Sequence, residues 1–147
     1  MEDTCIEQRM GVVTLGVADL DRSRRFYEEG LGWKIGAAEG QIVFFQLNGM
    51  ILALYPRDEL AKDALVSSEG SGFTGVTLAY CARSKEDVDN IFSQLETAGA
   101  HIVKQPQSVF WGGYSGYFAD PDGHLWEVAW NPYWRLDKHG NVYLEAP

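Results

Sequence analysis

The sequence predicts an α+β fold of two tandem βαβββ modules that form an open, curved mixed sheet around a cavity. Three observations predict it. A short apolar, β-branched run opens each half, Gly11-Val-Val-Thr-Leu-Gly-Val17 in the first and Gly75-Val-Thr-Leu-Ala-Tyr80 in the second. Each run is followed by a helical pattern and then by three more strand patterns. Each half also carries a two-residue turn signal before its last strand, Asn48-Gly49 and Asp122-Gly123. One such unit exposes an apolar sheet face that it cannot bury alone, so the two must pair.

The elements follow in order. After the first strand Asp19 offers an N-cap, and Leu20 to Glu29 reads as a helix with Leu20, Phe26 and Tyr27 on or near one face. Gly30-Leu31-Gly32 stops it. Strands are expected over Trp33 to Gly36, Gln41 to Leu47 and Met50 to Tyr55. A polar, Gly/Ser-rich stretch then separates module one (about 10–56) from module two (about 73–131), with 57–72 as linker and 132–147 as a C-terminal tail. In module two, Ser84 with Asp87 three residues on starts a helix that runs to about Thr97. Its Val88, Ile91, Phe92 and Leu95 recur at helical spacing. Strands are expected at His101 to Lys104, Tyr114 to Ala119 and His124 to Trp130, with Gln105 to Gly113 as a loop. Tyr133, Trp134 and Leu136 should dock part of the tail while its end frays.

Composition narrows the function. The chain of 147 residues, 46% of them apolar, suits one domain with a real core. A net charge of −9 argues against nucleic acid, whose phosphates need a Lys/Arg surface, and is compatible with a cationic ligand. No stretch approaches the roughly 18 apolar residues of a membrane span, and the acidic start lacks a secretory apolar core. Cys5 and Cys81 have no metal spacing and read as free thiols of a cytoplasmic protein, Cys81 as an inert one. His101, His124 and His139 read as surface or turn histidines rather than metal ligands.

The most informative stretch is the closing hairpin, residues 114–130. Its Asp120-Pro121-Asp122-Gly123 turn leads into a strand with Leu125, Glu127 and Ala129 on one face and Trp126, Val128 and Trp130 on the other. A lone Glu in such an apolar strand is either paired with a positive or backbone donor, or it lines the cavity and receives a ligand. Desolvated there without a positive partner, it would also be a general base.

Three passages resemble the vicinal oxygen chelate superfamily, which includes glyoxalase I, extradiol dioxygenases, and fosfomycin and bleomycin resistance proteins. They are Thr14-Leu-Gly-Val-Ala-Asp-Leu-Asp-Arg-Ser-Arg-Arg-Phe-Tyr with Leu31-Gly-Trp33, the Gly75-Val-Thr-Leu strand with its helix, and Tyr117-Phe-Ala-Asp-Pro-Asp-Gly-His-Leu-Trp-Glu127. The resemblance implies paired modules, commonly a homodimer, and a cavity in each open barrel. It also implies four divalent-metal ligands, one from the first and one from the last strand of each module. Those positions fall near Val12, on Ala53, on Gly75 and on Glu127, so one carboxylate remains where four donors are needed. No metal or other cofactor is therefore expected, with a divalent ion at a non-standard site as the alternative.

The expected ligand-binding residues are Thr14, Thr77, Trp111, Tyr114 and Glu127, with Gly112-Gly113 letting a loop fold over the cavity. Phe44, Tyr55 and Trp130 lean toward the core. The resulting expectation is a metal-free, small-molecule-binding protein similar to the bleomycin-resistance branch, holding a cationic or aromatic compound. The alternative is a lyase, isomerase or dioxygenase of the superfamily, with an atypical metal site or Glu127 as its base. A partner-binding dimer without small-molecule chemistry is a third reading.

Overall fold

The computed structural model describes residues 7–144, so Cys5 and the tail end expected to fray lie outside the described residues. Module one comprises β1 (Val12–Val17), α1 (Leu20–Arg25), β2 (Ile35–Glu39), β3 (Ile42–Gln46) and β4 (Ile51–Pro56). Its four-stranded sheet has the order β1-β4-β3-β2, with β1 parallel to β4 and the other pairs antiparallel. Module two repeats the plan with β5 (Leu78–Cys81), α3 (Lys85–Thr97), β6 (His101–Ser108), β7 (Tyr114–Ala119) and β8 (Leu125–Trp130). Its order is β5-β8-β7-β6, again with only the first pair parallel. The repeat read in the sequence is thus a repeat of topology.

Both sheets obey the period-2 rule. In sheet one Leu15, Val17, Val43, Phe45, Leu52 and Leu54 are each 8% exposed or less and form the core face. Val12, Thr14, Phe44 and Ala53 alternate onto the other, open face, where Thr14 pairs with Ala53 and Ala53 with Phe44. In sheet two Phe118, Trp126 and Val128 face the core and the buried Val88, Phe92 and Leu95 of α3. Asp19 and Ser84 cap their helices as expected, accepting from the amides of Arg22 and Asp87 at 3.1 and 3.0 Å. Asn48-Gly49 turns as expected, with Gly49 at φ 84° and the Leu47 amide donating to Met50 at 2.8 Å.

The last turn of the first helix differs from a regular α-helix. Phe26–Gly30 widens into a π turn, closed by the Leu31 amide donating to the Phe26 carbonyl at 3.0 Å. On this turn Tyr27 is fully buried and crosses the seam between the modules. Its hydroxyl donates to the Asp120 carboxylate at 2.8 Å and accepts from the Trp126 indole N–H at 3.1 Å. Asp120 also accepts from the amides of Asp122 and His124 and pairs with His124 Nδ1 at 2.7 Å. Asp122 in turn reaches back to module one. It accepts from the Ala18 amide at 2.8 Å, Arg22 at 3.0 Å and the buried Ser23 hydroxyl at 2.9 Å.

Several expectations need correction. The linker is not wholly irregular, because Arg57–Asp63 forms α2, with Asp58 and Glu59 in its first turn where acidic groups suit the helix dipole. The first part of the expected loop at Gln105 to Gly113 is strand. β6 runs on to Ser108, absorbing Pro106 within the second of two shifts of register, between Lys104 and Gln107. That path presses on β7, so a Cβ at Gly116 would lie 2.6 Å from the Lys104 carbonyl oxygen. β5 begins only at Leu78, after Gly75 at φ 86°. The tail docks through a polar turn more than through aromatics, since Tyr133 and Trp134 are 61% and 41% exposed. It forms the hairpin β9 (Arg135–Leu136) and β10 (Val142–Tyr143), and the Asn48 amide donates to the Gly140 carbonyl at 3.0 Å. Amides from Asn141 and His139 hold the Asp137 carboxyl down at about 2. No helix among the described residues is long and apolar enough to cross a membrane.

Two outcomes follow for the seam. Tyr27→Phe strands a buried indole N–H and one carboxylate bond, so urea denaturation should show a loss of about 2–3 kcal/mol. The second concerns pH. Burial alone would raise Asp120, but its bonds from His124 and Tyr27 outweigh this and leave it below the ordinary 3.8. Burial alone would lower His124, yet Asp120 raises it above the ordinary 6.5. The Asp120 contribution is present above 3.8 and fades as pH falls through its folded value. The His124 contribution is full below 6.5 and fades as pH rises through its folded value. The Tm difference between the native chain and His124→Gln should therefore be largest between 3.8 and 6.5 and shrink on both sides.

Candidate functional site

The Asp120–Gly123 turn is closed by Asp120 and His124, amide to carbonyl at 3.0 Å, with Gly123 at φ 88° completing it. From there the register β7·β8 is unbroken, pairing Tyr117 with Glu127, Phe118 with Trp126 and Tyr114 with Trp130. Glu127 therefore stands on the open face of sheet two, half-buried, with Tyr117 on one side and Ala79 of β5 on the other. Cys81 is a free, half-buried thiol one alternation further along β5 and shares that face. Burial, reinforced by the Glu127 carboxylate, pushes both the Tyr117 hydroxyl and the Cys81 thiol up. Both groups stay protonated near neutral pH. The face thus offers one anionic acceptor beside two neutral groups that can donate.

The other expected residues divide. Thr14 lies on the open face of sheet one beside Ala53 and Phe44. Thr77 is exposed, one residue ahead of β5. Trp111 is half-buried and lies against Gly113, where any Cβ would overlap its ring, so this glycine serves the indole as much as the loop. Tyr114 is not on the Glu127 face. It alternates to the helix side, where its hydroxyl donates to Asp89 of α3 at 2.7 Å and Lys85 lies 5.9 Å from its ring centroid. Trp130, expected in the core, is only half-buried and packs against that core, with Lys85 5.7 Å from its ring. Tyr117 was missed although its signal was available, since it faces Glu127 across an evident hairpin.

The donor set at the four implied metal positions does not fit a metal. Val12 is 48% exposed and Ala53 fully buried, and neither side chain has a ligand atom. Gly75 has no side chain, so Glu127 has no partner ligand among these positions. A second cluster, Asp120, Asp122 and His124, brings its ligand atoms within 4.8 Å of one another. The spacing Asp-x-Asp-x-His was legible in the chain, and the assignment of His124 as an ordinary turn histidine missed it. Its oxygens are committed, however. Asp120 accepts four hydrogen bonds, which fills the acceptor capacity of a carboxylate. Asp122 accepts three, so the cluster is the seam clamp described above.

With this geometry in view, comparison with known proteins is informative. The chain matches the family described as the Glyoxalase/Bleomycin resistance protein/Dioxygenase superfamily over residues 9–128. A Glutathione transferase FosA of Serratia marcescens is 31% identical over 121 residues, covering 82% of this chain and 79% of the relative. A Metallothiol transferase FosB of Lysinibacillus sphaericus is 27% identical, covering 82% and 80%. A solved glyoxalase-related enzyme from Fulvimarina pelagi superposes with a TM-score of 0.87 at 37% identity, covering 95% of this chain and all of that one (100%). Two βαβββ modules, the Asp-Pro-Asp-Gly turn tied to Tyr27 and these matches lead to one conclusion: the chain belongs to the Glyoxalase/Bleomycin resistance protein/Dioxygenase superfamily.

Proposed function

We propose that the chain is a metal-independent, small-molecule-binding member of this family, with Glu127 as the anchor for a cationic or hydrogen-bond-donating group on an aromatic ligand. One observation carries the reading: Val12, Ala53 and Gly75 supply no ligand atom, while Glu127 keeps its carboxylate beside Tyr117 and Cys81. A single carboxylate holds a cationic ligand well and a divalent ion poorly, since the ion needs several oxygens or nitrogens to replace its water. The net charge of −9 favours the same ligand sign. Thr14 and Phe44 on sheet one, with Trp111 at the rim, are the residues proposed to contact the rest of the ligand.

The pocket is completed in this reading by a second copy of the chain. The two sheets share no strand pairing among the described residues. The single chain leaves Val12, Phe73, Val76 and Val103 between 48% and 70% exposed, which is apolar surface that association would cover. A cytoplasmic setting accords with the free Cys81 thiol.

The names of the relatives favour a second reading, an enzyme of the superfamily in which Glu127 takes a proton from the substrate. Atomic absorption on purified protein, after incubation with Ni, Zn or Mn and desalting, should find no stoichiometric ion; one retained ion per chain overturns metal independence. Thermal shift against cationic aromatics should yield a stabilising ligand. Glu127→Gln should then weaken it about ten- to a hundredfold, the worth of a hydrogen bond to a charged group. Loss of turnover with affinity retained would instead establish the enzyme. Light scattering should give twice 16.4 kDa, and a mass of one chain overturns the paired pocket.

A further inference from the structure

A cavity of about 120 Å³ opens at the seam between the modules, behind sheet two. Trp33 of module one and Phe118 and Trp126 of module two wall it, with Ile91 of α3 beside them. The Phe118 and Trp126 rings are 6.2 Å apart and nearly parallel, at 5°, and Trp33 meets Trp126 edge-on at 5.8 Å. Two polar side chains, Tyr80 and Gln94, lie on its exposed side. Among the described residues the Tyr80 hydroxyl has no hydrogen-bond partner, and the Gln94 amide makes only a long 3.5 Å contact with the Leu31 carbonyl. This cavity is separate from the Glu127 face. Tyr80 pairs with Val128, and both alternate to the side of the sheet opposite Glu127.

We propose that the seam cavity is a second ligand site, taking a single aromatic ring that carries one hydroxyl or N–H group. Size supports this, because an apolar cavity of about 150 Å³ lined by Leu, Ile and Phe holds one benzene molecule. The walls support it as well, since Trp33, Phe118 and Trp126 give the cavity an aromatic lining against which a further ring can pack. Tyr80 and Gln94 supply the polar end. Burial, then the nearby Asp87, holds the Tyr80 hydroxyl protonated, so it can donate as well as accept. Because the walls come from both modules, a bound ring bridges the seam.

Phenol and toluene serve as probes, read by the fluorescence of the native chain and by Tm. Phenol should give a saturable change near about 1 mM, a reasonable affinity for so small a ligand, and should raise Tm. Ile91→Trp, which fills the cavity, should abolish that response. Tyr80→Phe should weaken phenol about three- to tenfold and leave toluene within about twofold. Glu127→Gln should leave the phenol response unchanged, which separates this site from the one proposed above. A phenol response that does not saturate overturns the proposal. So does a response that survives in folded Ile91→Trp or is lost in Glu127→Gln. If Ile91→Trp does not fold, the selective effect of Tyr80→Phe decides, and equal weakening of both probes rejects the site.

Discussion

The hydrogen bond from Tyr27 to Asp120 joins two halves that otherwise have no strand pairing among the described residues. It lies where both groups are almost entirely removed from water, so neither could be left without the other. Burial, then the Asp120 carboxylate, drives the Tyr27 phenol well above its ordinary range, which keeps its proton on the donor side. The Trp126 indole N–H donates to a lone pair of the same hydroxyl. Around this point Trp33, Phe45, Phe118 and Trp126 assemble at ring distances of 5.8 to 6.3 Å, so the polar bond and the aromatic core are one construction.

The same turn explains two motifs at once. Asp120 accepts from Tyr27, and Asp122 accepts from Ala18, Arg22 and Ser23, so the closing turn of module two grips the start of α1 and the turn after it. Those residues lie in the passage from Thr14 to Tyr27 that carried the family resemblance. Their spacing serves the clamp. The turn also sets the register of β8, and alternation along that strand sends Trp126 and Val128 to the core and Glu127 to the open face. The core residues and the carboxylate proposed to bind the ligand are here separated by one peptide unit.

On the open face the chain departs from the metal-binding pattern its family resemblance implies. Hydrophobic or small residues occupy three positions, and the remaining carboxylate has a phenol and a thiol for neighbours. In the proposed reading, carboxylate, phenol and thiol together meet the polar groups of an organic ligand rather than a hard cation. The relatives named as Fos transferases share the fold and much of the chain length. Chemistry on such a scaffold is decided by its site residues and not by the scaffold.

Period and punctuation in the chain were sufficient to determine the module repeat, the two caps at Asp19 and Ser84, the Asn48-Gly49 turn and the facing of Glu127, because each depends on neighbours within a few residues. Short-range rules also misled where a distant contact intervened. β6 extends past Pro106 because β7 holds it, and Tyr114 turns from the expected cavity to Asp89 of α3 because its place in the register is set by Trp130. Only tertiary structure could decide that Asp120, Asp122 and His124 clamp a seam, since their partners lie up to 104 residues away along the chain. It also decided that two tryptophans and a phenylalanine from separate modules enclose a cavity behind the sheet. Local sequence sets which way a side chain points; which atoms await it there is settled by the folding together of distant segments.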